Sequence, residues 1–188
     1  MRALQALLAA ALALPACAGG AGTSVRPPPE SAPGPSVADL LDRGRGFALV
    51  GDLTRAEQYF SAALEAGADP RRTVPLLVHV CIEAKRYRVA SDYVSQELRR
   101  DPEDTSLRLL HGLLEASVGN RAVALREYQL VLDGRPDDSE SHYAMAVLMR
   151  DGLDDVAGAS EHFRAYLQLS PNGIHAGEAR ASLLEGRP

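Results

Sequence analysis

Ala56, Ala90 and Ala124 recur every 34 residues, and four residues beyond each stand Phe60, Val94 and Tyr128. Gly44 and Gly112 keep a second phase of the same period, and Pro102 and Pro136 a third. A fourth copy arrives one residue late, as Ala159, Phe163 and Pro171. A small residue with a large one four places on puts both on one face of a helix. A period of this size marks a repeated supersecondary unit that cannot bury its apolar face alone, so successive units must stack.

From Val37 onward the chain reads as pairs of short helices, over 37–50 and 55–66, 74–84 and 89–99, 106–118 and 121–132, and 139–149 and 155–169. Gly51-Asp52 and Gly119-Asn120 break the first and third pairs, while 150–154 forms a longer turn in the fourth. Thr54 with Glu57 has the pattern of a capping box, and Pro75 is expected in a first turn, where its missing N–H costs nothing. A ninth helix is expected over 174–185, with Asn172 as its N-cap.

This arrangement resembles the tetratricopeptide-repeat (TPR) family, whose unit is a helix–turn–helix of 34 residues. Ala56, Ala90, Ala124 and Ala159 match the small residue opening the second helix, and Phe60, Tyr128 and Phe163 match the aromatic four later, with Val94 in its place in unit two. Gly44, Gly112 and Ala146 match the small residue of the first helix, from which Val78 departs. Pro102, Pro136 and Pro171 match the turn proline, which comes two residues late in the first unit as Pro70. The family's Trp near each unit start is replaced by Leu40, Val74, Arg108 and His142. The resemblance implies an all-α, right-handed solenoid of four units over 37–171, at 37–70, 71–104, 105–138 and 139–172. A capping helix and tail follow over 173–188.

The residues before Val37 stand apart from the repeats. Leu4 to Leu14 is an apolar run behind Arg2, too short for a bilayer span of about 20 residues and of the size of a signal-peptide core. It ends in Leu14-Pro15-Ala16-Cys17, which resembles the lipobox of bacterial lipoproteins. The expectation is a signal peptide over 1–16, a lipid on Cys17, and a Pro- and Gly-rich tether over 17–36. Pro15 is unusual within the motif. Ala18 rather than Asp follows the cysteine, which by resemblance directs the chain to the periplasmic face of the outer membrane. The alternative is an ordinary secretory signal cut near Ala16 or Ala18, giving a soluble periplasmic or secreted protein with Cys17 incidental.

A formal charge of −5 argues against a general nucleic-acid binder, which needs a basic face. The cluster Lys85-Arg86-Tyr87-Arg88, with Arg71-Arg72 and Arg99-Arg100, reads as solvated helix ends; contact with an acidic partner or lipid headgroups is the alternative. Cys81, inside an apolar helical stretch, reads as a small buried hydrophobe. Histidines 79, 111, 142, 162 and 175 form no His-Glu-x-x-His pattern; 79, 111 and 142 fall in first helices of successive units and read as surface or groove residues, with a stacked pair or a metal site as the alternative. Asp151, Asp154 and Asp155 lack the spacing of a calcium loop and suit helix capping. No catalytic residue, metal site, cofactor or small-molecule substrate is expected.

In the TPR family the first helices line a groove. The resemblance assigns Leu41, Arg45, His79, Leu109, Leu113, Tyr143 and Val147 to it. The Lys and Asn that clamp a terminal carboxylate in chaperone-binding members are absent from these positions. The leucines, Tyr143 and Val147 make an apolar floor suited to a partner helix or extended apolar segment, with part of it serving as intra-repeat core. The function expected is that of a lipid-anchored periplasmic scaffold or adaptor for envelope-complex assembly or localisation. It would be similar to small repeat lipoproteins that escort pilus secretins or join outer-membrane assembly machinery. The alternative is an accessory or regulatory subunit of an envelope enzyme, such as one acting on peptidoglycan.

Overall fold

The computed structural model describes residues 34–185; Cys17 and most of the tether lie outside them. Among the described residues the chain is all helical: α1 (Val37–Leu49), α2 (Leu53–Glu65), α3 (Pro70–Glu83), α4 (Tyr87–Arg100), α5 (Thr105–Ser117), α6 (Arg121–Gly134), α7 (Ser139–Val147), α8 (Val156–Leu169) and α9 (Ala176–Glu185). A π-helical turn over Leu148–Gly152 extends α7. The densest helix contacts all join sequence neighbours, as in a solenoid. No helix among these residues is long and apolar enough to cross a membrane.

The repeated sequence positions are the ones that pack each pair. At Gly44 an added Cβ would lie 2.5 Å from the Phe60 ring, and at Gly112 equally close to the Tyr128 ring. Only a residue without a side chain fits against a ring in those two units. Unit four brings Ala146 and Phe163 into one buried cluster, and unit two brings Val78 and Val94 into another. Val78 and Val94 therefore depart from the pattern together, a larger first-helix residue meeting a smaller second-helix one.

The turns within units repeat as closely. Gly51, Lys85 and Gly119 take positive φ, and in each case the next residue's N–H returns to a carbonyl five residues back, as in Asp52 N to Phe47 O at 2.9 Å. This is the Schellman closure of a helix end. In unit four Asp154 takes the positive φ and Asp155 N reaches Met149 O, six residues back. The π-helical turn holds the extra residue, which accounts for the late fourth copy in the sequence.

Some helix starts differ from the sequence reading. The α2 cap is Asp52, accepting from Arg55 N at 3.1 Å, while Thr54 lies inside the helix and Glu57 pairs with Arg86. Helix α3 begins at Pro70, one turn early, because Gly67 closes α2 with φ of 93° and Asp69 caps the new helix through Arg71 N. Pro75 thus sits inside α3, exposed between the buried Val74 and Leu77. Asn172 caps nothing: α9 starts at Ala176, and Ile174 before it is 88% exposed. Asp155 does cap α8, accepting from Gly158 N at 2.9 Å.

Candidate functional site: clefts between first helices

Three hollows separate successive first helices. Between α1 and α3 lies one of about 460 Å³, floored by Ala48, Leu76 and Val80 and edged by Arg45, Leu49, His79 and Glu83. Between α3 and α5 lies one of about 410 Å³, with Val74, Pro75, Leu107 and Leu110 under a rim of Arg71, Glu97, Asp101 and Asp104. Between α5 and α7 a third of about 410 Å³ is lined by Leu113, Ala116, Tyr143, Val147 and Leu148, with Arg121 and Asp151 at one end.

The residues assigned to the groove divide among these places. Leu113, Tyr143 and Val147 meet in the α5–α7 cleft, and Leu113 is 44% exposed there. Arg45 and His79 share the α1–α3 cleft. Arg45 pairs with Asp42 at 3.0 Å and His79 with Glu83 at 3.3 Å. Leu41 packs between the Phe60 and Leu40 clusters, and Leu109 lies against the cluster of Ala124 and Tyr128. Those two leucines, like Tyr143 and Val147, are half-buried against the core. Leu49, Ile82 and Leu113 are the large apolar first-helix residues most open to solvent.

Tyr143 has a second engagement. Its ring stacks on His175 with centroids 3.8 Å apart, and its hydroxyl donates to Glu178 Oε2 at 2.6 Å. Burial, with that carboxylate next, pushes the Tyr143 hydroxyl up to about 12. Arg150, turned by the π-helical segment, binds Glu178 Oε1 at 2.9 Å, reaches Ser182, and holds Asp151 at 2.6 Å. The hydrogen bond from Tyr143 and then that from Arg150 keep the Glu178 carboxyl below its ordinary range. Helix α9 is thus latched to α7 by polar groups, while Ala176 and Ala179 bury themselves beside Phe163 and Tyr166. No sequence signal announces the latch, because Arg150 and Glu178 are 28 residues apart and no local spacing relates them.

A second polar cluster joins units two and three. Ser91 donates to Glu115, Asn120 Nδ2 donates to the same carboxylate at 2.7 Å, and His111 lies 3.3 Å from Glu127, which Arg108 also holds at 2.9 Å. Burial works to raise the Glu115 carboxyl, but the hydrogen bonds from Ser91 and Asn120 outweigh it and hold the group low. The Ser91–Glu115 bond crosses between units, His111 joins α5 to α6 within unit three, and His142 pairs with His162 across unit four. These histidine contacts correct the reading of His111 and His142 as surface or groove residues.

Much of the basic cluster is neutralised. Arg86 pairs with Glu57, Arg71 lies 3.4 Å from Asp101, and Arg100 pairs with Glu97. Lys85 occupies a left-handed turn position. Cys81 is fully buried, and burial, followed by the Glu57 charge, pushes its thiol up to about 11. It is a packing residue. No group of three or more His, Cys, Asp or Glu among the described residues is placed to hold a metal ion.

Comparison with solved structures places this architecture. YrrB, described as a TPR protein with an unusual peptide-binding site, superposes with a TM-score of 0.66 at 19% identity, over 77% of this chain and 74% of YrrB. A TPR protein from Parabacteroides merdae gives a TM-score of 0.68 at 20% identity, over 80% of this chain and 60% of that one. MamA gives 0.65 at 15% identity, over 80% of this chain and 85% of MamA. No family model and no curated protein matches the sequence. Similarity of this degree establishes the fold alone: the described residues adopt the tetratricopeptide-repeat solenoid fold.

Proposed function

From the tetratricopeptide-repeat fold as premise, we propose that this chain is a non-catalytic scaffold that holds a partner protein in the clefts between its first helices. The observation that carries the reading is the α5–α7 cleft, where Leu113, Ala116, Tyr143 and Val147 form an apolar floor with Leu113 open to solvent. An apolar trough between helices suits the apolar face of a helix or an extended segment. The peptide-binding site described for the similarly folded YrrB is consistent with this use of the fold. Several cleft charges are paired within the chain, Arg45 with Asp42, His79 with Glu83 and Arg150 with Asp151, which favours an apolar ligand over a charged one.

In this reading the scaffold hangs from a lipid on Cys17 at the periplasmic face of a bacterial outer membrane and serves the assembly or localisation of an envelope complex. The sequence Leu14-Pro15-Ala16-Cys17 supports the anchor, and the Pro- and Gly-rich segment after it supports a tether.

A photo-crosslinking residue at Ser117, which lines the α5–α7 cleft, tests the reading against the same residue at the exposed Gln129 of α6. Ser117 is expected to capture a discrete envelope protein that Gln129 does not. Leu113→Glu should lower that capture about tenfold or more with helicity intact. Equal capture from both positions would remove the cleft from consideration. Capture of cell-wall enzymes alone would turn the reading toward an accessory subunit.

A further inference from the structure

His142 of α7 and His162 of α8 meet inside the fourth helix pair with their Nδ1 atoms 2.9 Å apart. Their ring centroids are 5.2 Å apart and the planes tilt by 37°. The other nitrogen of His142, Nε2, lies 3.0 Å from the carbonyl oxygen of Pro136. A carbonyl oxygen only accepts, so this Nε2 carries a hydrogen. His142 Nδ1 then has two ways to satisfy its neighbour. It accepts from His162 Nδ1–H when both rings are neutral, or it donates to a bare His162 Nδ1 when His142 is the cation. The contact accommodates two or three ring protons. A fourth sets two N–H groups head to head at hydrogen-bond distance, with like charges on both rings.

The neighbouring charges do not relieve that conflict. Asp155, which caps α8, and Glu161 within it favour a charge on His162. Asp138, which caps α7, accepts from Ser141 N and pairs with Arg135 at the end of α6. On α9, His175 lies against Tyr143 and 3.7 Å from Glu140, and Glu178 is held by Tyr143 and Arg150.

We propose that the His142–His162 pair makes the fourth helix pair acid-sensitive: taking up the fourth proton parts α7 from α8, loosening one wall of the α5–α7 cleft and the seat of α9. Burial first, and the His142 charge second, outweigh the two carboxylates and hold His162 below the ordinary histidine value. The unfolded chain therefore takes this proton before the folded one does. Stability is complete above about pH 6.5, the ordinary histidine value, and falls as pH drops from there through the lower folded value.

The test is amide hydrogen exchange on the full chain at about pH 7.5 and about pH 5, corrected for intrinsic rates. Protection in α7, α8 and α9 should fall severalfold relative to α5 and α6. His162→Gln, which cannot take up the proton, should abolish that difference. An equal fall in both proteins would overturn the proposal. If the variant does not fold, the imidazole nitrogen shifts of the unaltered chain decide. Full protonation of both rings is expected to coincide with loss of α7–α8 protection; full protonation with protection intact overturns the proposal.

Discussion

Gly44 and Gly46 stand two residues apart in α1 and face opposite demands. An alanine at 44 would bring its Cβ within 2.5 Å of the buried Phe60 ring, whereas one at 46 meets nothing within 4 Å. Gly44→Ala should destabilise the protein by about 1–3 kcal/mol through overpacking. Gly46→Ala should stabilise it by about 0.5–1 kcal/mol through helix propensity. Urea denaturation of the two variants checks the opposite signs, and a shared sign would refute the packing account of Gly44. The 34-residue period made Gly44 legible in the sequence, since it fixes which residues recur on one face before any partner is known. The same logic read Val78 and Val94 as departures but could not show that they compensate one another, because that depends on volumes meeting across two helices. His142 and His162 lay beyond such reasoning: they are 20 residues apart, and nothing in their spacing announces a shared hydrogen bond.

The helices themselves were largely legible, and their ends less so. The second helices α4, α6 and α8 stop at Asp101, Arg135 and Ser170, all near φ −135° and each followed by proline, which disfavours helix in the residue before it. Asp104 and Asp138 cap α5 and α7 in the same period, a signal available in the sequence. The start of α3 lies a turn before the place periodicity gives it because Gly67 and Asp69 together form a turn unlike the other inter-unit turns. The fourth copy's delay was visible, but its π-helical form was not, since one extra residue could have entered the loop instead. That form turns Arg150 toward α9. Arg150→Ala should loosen α9 by about 1 kcal/mol, a figure reduced for the exposure of Glu178. Roughly fivefold faster amide exchange in α9, with α5 and α6 unchanged, is the expected signature. Uniform acceleration along the chain would mean that Arg150 supports more than the cap.

At the scale of the whole molecule, the repeat period gave the solenoid, because stacked units follow from a period of this length. The groove was only partly legible: first-helix positions are set by register, yet whether Leu109 or Leu113 reaches solvent depends on how α6 packs beneath α5. The proposed anchor is a property of the full chain and is tested there. Cys17→Ser should move the protein from the membrane to the soluble fraction and abolish lipid labelling. Unchanged partition with labelling retained would refute the anchor. The neighbour-to-neighbour packing of the helices also has a consequence in time. Each helix pair finds its covering surface in the next stretch of chain to emerge, so contact order stays low and structure can accumulate from the N-terminal side as the polypeptide is released. The fourth pair depends on a single helix for this: Phe163 and Tyr166 wait uncovered until Ala176 and Ala179 of α9 arrive.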